Sequence, residues 1–302
     1  MKNSILCITI LVIILCNNLQ AQENFPVLKG SYLGQKPPGN KAELFEPKIF
    51  DSYLSSVPEN VLPFHSAIIF SPDGTEAYWG PMMGNAGTLF SKMVNGKWTF
   101  PKKMDFKLDH DGHDPSLSPD GKKLFFLSHQ HPTDDIRGRE RFWYVEKTSF
   151  GWSEAKPLDD VVNNYPTHWT FSIASNGNLY FNSDGVIYLA SFDGSKYLTP
   201  ERMDDVINND TANACPCVSP DESFLIFTRS LKSSDDLFIS FKKANGEWTE
   251  AVNMGDNVNT IDEHEMSPRI TPDGKYLFFI SKTTKAGMFW VSTQFIEDIK
   301  AK

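Results

Sequence analysis

Apolar residues in this chain come in short, nearly unbroken stretches, too short for helices and bounded by polar turn residues. The clearest are EAYWG (76–80), KKLFFLS (122–128), NLYFNS (178–183), SFLIFTR (223–229) and KYLFFIS (275–281). Near-continuous apolar character is expected of strands covered on both faces. Each stretch follows a turn of one type: FSPDG (70–74), LSPDG (117–121), IASNG (173–177), VSPDE (218–222) and ITPDG (270–274). Ser or Thr opens the turn, Pro presets φ, Asp tolerates the third position, and Gly supplies a left-handed exit. Glu222 stands where the others have Gly, so this turn is the weakest match.

The turns are spaced by 47, 56, 45 and 52 residues, a period that points to a propeller with four strands per unit. A third strand follows in each unit: TLFSKMVNG, FWYVEKTSFG, VIYLASFDG, DLFISFKKANG and MFWVST. The first four of these end in a Gly-containing turn, the mark of a hairpin into a fourth strand. Fourth-strand segments are KWTFPKKMDF (97–106), GWSEAKPLDD (151–160), KYLTPERMDD (196–205) and EWTEAVNMGD (247–256), and none remains after the fifth unit. ELFEPKIFDS (43–52) has the same order of residue types, so the N-terminal part is expected to supply the outer strand of the last blade. Closure of that kind leaves no open seam. The expectation is an all-β, five-bladed β-propeller over residues 43–302, preceded by an extended segment at 22–42. A six-bladed ring using residues 22–60 is the alternative, although that stretch has no turn of the right type. The tail TQFIEDIK has the pattern of a short helix.

The first 21 residues alter the picture of location rather than of fold. Lys2, an apolar run from Ile5 to Cys16, and a short polar stretch to Ala21 read as a signal peptide, too short to span a bilayer. The expected location is periplasmic or secreted, and no transmembrane segment is expected in the mature chain. The formal net charge is −9, one unit more negative without Lys2, which argues against a nucleic-acid partner. Cys7 and Cys16 belong to the leader. Cys215 and Cys217 are two apart in a strand, where a disulfide is near its geometric limit. They read as small buried residues, with a redox pair or half a metal site as alternatives.

The SPDG turn followed by an aromatic strand, repeated from about residue 60 to 295, resembles the TolB-type β-propeller repeat. The resemblance implies an exported bacterial propeller. It leaves function open, because that repeat serves interaction proteins, peptidase domains and sugar lyases alike. TolB itself has an additional N-terminal domain and six blades, which this chain lacks the length to build.

In a propeller the segments leading into the inner strands form one mouth of the central channel. Here they read PFHSAIIF, DHDGHDPSL, YPTHWTFSI, NDTANACPCV and DEHEMSPRI, and four carry histidine: His65, His113, His168 and His264. Beside them stand Asp114, Trp169 and Glu265. Imidazoles with a carboxylate such as Glu265 suit a divalent metal, a histidine with a carboxylate suits acid–base work, and a mouth aromatic suits a sugar ring. The competing reading is that polar residues here tie neighbouring blades together. His129 and His131 read as surface residues. Trp98, Trp152 and Trp248 recur at one outer-strand position and read as packing. Arg137, Arg139 and Arg141, in DDIRGRERFWYVEK, read as a solvated loop or as a basic lid. No GxSxG, HExxH, phosphate loop or EF-hand motif is present. Two functions stay open: a binding module for a protein or oligosaccharide ligand at the mouth, or a carbohydrate-active lyase or hydrolase working there.

Overall fold

The turns set the geometry of every blade. In the computed structural model, described over residues 25–301 except 59–60, 83–86, 130–139, 262 and 283–285, Ser71 Oγ donates to Asp73 Oδ1 at 2.6 Å and accepts from the Glu76 amide at 2.9 Å. Ser118, Ser219 and Thr271 repeat both bonds. The exit residues Gly74, Gly121, Gly177 and Gly274 have φ of +68°, +70°, +90° and +71°, and Glu222 adopts +58°. An L side chain there is strained. Its carboxylate accepts from the Tyr180 hydroxyl at 2.7 Å, Asn178 Nδ2 at 2.8 Å, Asn176 Nδ2 at 3.1 Å and Lys242 Nζ at 3.2 Å. The misfit in the repeat is therefore a strut between two blades.

Five antiparallel sheets result. Blade 1 runs outward through Phe64–Phe70, Glu76–Pro81 and Leu89–Val94 to short outer pieces at Lys97–Trp98 and Lys102–Lys103. Blade 2 comprises Gly112–Leu117, Lys123–Ser128 and Arg141–Thr148, with Gly151–Trp152 and Lys156–Pro157 outside. Blade 3 is Ser172–Ile173, Leu179–Ser183, Val186–Ala190 and Glu201–Arg202, and blade 4 is Asn213–Val218, Phe224–Ser230, Asp235–Phe241 and Val252–Asn253. Blade 5 has Glu265–Ile270, Tyr276–Lys282 and Ala286–Ser292, and its outer strand is Glu43–Leu44. Glu43 pairs with Trp290 and Leu44 with Phe289, so the N-terminal part closes the ring. The six-bladed alternative fails because residues 43–54 provide that strand followed by short helical turns at Lys48–Phe50 and Asp51–Leu54.

The core lies between blades. Leu237 and Ile239 of blade 4 pack with Leu277, Phe279 and Val291 of blade 5. Phe45, 1% exposed, seals the seam, its ring 5.0 Å from both Phe278 and Trp290. Trp98 and Trp248 are buried as expected, and Trp152 packs edge-on to Tyr78. The expected tail helix forms at Gln294–Lys300.

A recurrent brace is less visible in the sequence. After the outer strands of blades 2, 3 and 4, Asn163, Asn208 and Asn259 accept from the amides of Phe142, Ile187 and Leu237, each at 2.8 Å. Each side-chain amide also donates to the carbonyl of the same third-strand residue.

The inner strands are bulged. Register shifts interrupt the pairing in blades 1, 2, 4 and 5, and Asp114, Trp169, Cys215 and Ser267 have φ of +51°, +70°, +52° and +55°. A bulge re-aims side chains locally. Cys215 and Cys217 are buried free thiols, and burial pushes the Cys217 thiol pKa up. Arg269, fully buried, reaches from blade 5 to the carbonyls of Phe171 at 2.5 Å and Pro115 at 3.4 Å, tying three inner strands together. No helix among the described residues is long and apolar enough to cross a membrane.

Candidate functional site

The bulges of blades 1 and 2, and the left-handed backbone of Trp169 ahead of the inner strand of blade 3, bring His65, His113, Asp114, His168 and Trp169 to one side of the channel mouth. His65 Nδ1 lies 2.7 Å from Asp114 Oδ1, and His113 Nδ1 lies 3.2 Å from Asp114 Oδ2. Asp114 is completely buried. Burial alone would raise its pKa, but the two imidazoles hold it well below the usual carboxylate range. For His65 and His113, burial disfavours the proton; contact with Asp114, aided by Glu140, outweighs that and raises both above the ordinary histidine value.

A second carboxylate completes the cluster. Glu140, 4% exposed, holds His168 Nδ1 at 2.9 Å from Oε2, while Oε1 lies 3.5 Å from His113 Nε2 and 3.7 Å from His129 Nε2. The indole of Trp169 lies 4.7 Å from the His65 ring at an interplanar angle of 13°, and meets His168 edge-on at 4.8 Å. Trp169 is only partly buried and His168 is exposed. The cluster thus combines buried negative charge, imidazoles bridging it to solvent, and an aromatic surface.

His264 and Glu265 are not part of this cluster. His264 Nδ1 pairs with Asp235 Oδ2 at 2.7 Å. Glu265 faces its own blade, accepting from Ser281 Oγ at 2.8 Å and the Thr260 amide at 3.3 Å, and burial pushes its pKa up. The carboxylate that joins Asp114 among the histidines is Glu140, not Glu265. His129, read from the sequence as a surface residue, sits at the edge of the cluster. The register shows why: Ser128 pairs with Arg141, so residues 129 and 140 flank the same end of a hairpin. Arg141 is 4% exposed and opens the third strand, so it is not an arm of a solvated lid. Arg137, Arg139 and His131 lie outside the described residues, as does the expected leader, residues 1–21.

Fold and site together define a five-bladed β-propeller with a histidine–carboxylate cluster at one mouth. No family model matches the chain, and no curated protein matches it. Among solved structures it is similar to a TolB-type protein from Agrobacterium tumefaciens, with 18% identity, TM-score 0.50, covering 72% of this chain and 70% of that one. It is similar in the same measure to the GH43 protein BlXynB of Bacillus licheniformis, with 10% identity, TM-score 0.50, covering 76% of this chain and 52% of that one. TolB from Acinetobacter baumannii shares 17% identity at TM-score 0.47 over 76% of this chain and 54% of its own. The likeness to the Agrobacterium tumefaciens protein supports a TolB-like propeller fold.

Proposed function

We propose that the protein is an exported, periplasmic or secreted β-propeller that binds a glycan fragment at the histidine-lined mouth. The observation that carries this reading is Trp169, a bulky residue in left-handed backbone, φ +70°, set against His65 at the mouth. The same left-handed backbone recurs at Asp114, Cys215 and Ser267, so the weight falls on the part-exposed indole stacked on His65, a flat apolar face beside polar groups that suits a sugar ring. A protein partner is favoured less, because among the described residues the three most exposed large apolar side chains, Phe150, Ile261 and Val27, belong to blade 2, to the segment before blade 5 and to the N-terminal segment, and contacts with proteins favour contiguous patches. Export rests on the leader sequence.

Trp169→Ala is expected to weaken retention on immobilised oligosaccharides about fivefold, corresponding to the loss of roughly 1 kcal/mol of stacking, with the melting temperature unchanged. Equal loss of binding and stability would make Trp169 a packing residue and remove the basis of the proposal. A lyase or hydrolase reading draws on one further observation, the buried Glu140 with imidazoles between 2.9 and 3.7 Å from its oxygens. Shortened or unsaturated products from the retained oligosaccharide would establish that reading, and unchanged oligosaccharide would exclude it for the sugars tested.

A further inference from the structure

The two carboxylates of the mouth hold their histidines at different distances, and the difference has a chemical meaning. Around Asp114 the shortest approach is His65 Nδ1 at 2.7 Å, and around Glu140 Oε2 it is His168 Nδ1 at 2.9 Å. These are hydrogen-bond lengths. They are shorter than the ligand–ligand edge of a tetrahedral metal site. Glu140 Oε1 is different. His113 Nε2 and His129 Nε2 both point at it, from 3.5 and 3.7 Å, and the three atoms lie within 4.8 Å of one another. That separation is too long for a hydrogen bond, and it is close to the edge of a tetrahedron around Zn²⁺, about 3.4 Å for metal–ligand bonds of about 2.1 Å.

We infer that His113, His129 and Glu140 form a binding site for a divalent transition-metal ion of the zinc class at the channel mouth. His113 offers Nε2 to this point while its Nδ1 faces Asp114 Oδ2 at 3.2 Å. Metal-bound histidines characteristically give the second ring N–H to a carboxylate, which fixes the tautomer and the ring orientation. With the proton of His113 at Nδ1, facing Asp114, the Nε2 lone pair is free to bind a metal beside Glu140. His168 orients the other oxygen of Glu140. Two nitrogens and one oxygen are the ligand chemistry of zinc-type ions rather than of calcium or magnesium. Three protein ligands leave a coordination position for solvent or for a bound ligand, the arrangement typical of reactive rather than purely structural zinc. The inference rests on these ligand atoms and not on the glycan reading.

The test is calorimetric titration of the tag-free protein, stripped with chelator, with Zn²⁺. One ion per chain is expected, with thermal melting shifted upward by the metal. His129→Ala, at an exposed position, and Glu140→Gln are each expected to weaken binding at least tenfold. Asp114→Asn, acting through His113, is expected to weaken it by about 10- to 100-fold. His264→Ala is the internal control and is expected to bind like the parent. No binding by the parent, or full binding retained in both His129→Ala and Glu140→Gln, overturns the site. Equal weakening in His264→Ala does so as well. Oligosaccharide retention measured on the same stripped samples separates the two readings, since loss of zinc binding leaves the Trp169 comparison intact.

Discussion

Glu222 occupies a backbone position that the other four turns give to glycine. The sequence marks it as the weakest turn, but its partners Asn176, Asn178 and Tyr180 belong to another blade and no local pattern connects them. Burial would raise the Glu222 pKa; hydrogen bonds from Asn178 and Tyr180 and the charge of Lys242 outweigh that, and the pKa is lowered. A carboxyl whose folded pKa is depressed stabilises the fold above its unfolded value, about 4.3, and loses that contribution as pH falls through the folded value. Glu222→Gln is therefore expected to lower stability near neutral pH by roughly 1–2 kcal/mol and to flatten the decline in melting temperature below about pH 4.5. An unchanged acid limb in the variant would separate Glu222 from acid unfolding. At this scale the site was half legible. His65, His113, Asp114, His168 and Trp169 could be found because each stands four to six residues ahead of the residue that opens a recognisable turn. Glu140 and His129 lie at the end of a hairpin whose connection is long and charged, so only the pairing of Ser128 with Arg141 brings them to the mouth.

Elements show the same division between what repeats and what must be seen in three dimensions. The turns and second strands were legible because both turn chemistry and double-sided burial leave plain marks. The asparagine brace also repeats, as LDDVVN (158–163), MDDVIN (203–208) and MGDNVN (254–259), yet its meaning depends on contact with a third strand about 20 residues earlier. Asn208, 2% exposed, bonds the amide and carbonyl of Ile187 and the carbonyl of Met203. Asn208→Ala leaves buried backbone groups unpaired and is expected to cost about 2–3 kcal/mol, read as a lower urea midpoint at unchanged slope. A loss below about 0.5 kcal/mol would mean that water replaces the brace.

For the whole molecule, ring closure follows from arithmetic on the sequence: five turns, four outer segments after them, and a fifth with the same pattern near the start. The structure places that fifth segment against Phe289 and Trp290. Phe45 behind it joins the two ends of the chain, so Phe45→Ala is expected to destabilise the protein by about 3–5 kcal/mol and to broaden or split the unfolding transition as the seam opens. A small, still single transition would show that the strand is ornamental to closure. The chemistry gathered at the mouth has no such arithmetic, because it comes from residues that differ from blade to blade.

Everything proposed for the protein depends on a ligand binding at the histidine mouth. The most direct measurement is the NMR signal of the histidine side chains, with imidazoles labelled, during titration with a panel of neutral and acidic oligosaccharides. Binding at the mouth is expected to move the signals of His65 and His168 while His264, paired with Asp235 outside the cluster, stays in place. Binding that moves His264 and leaves His65 and His168 unshifted would contradict it.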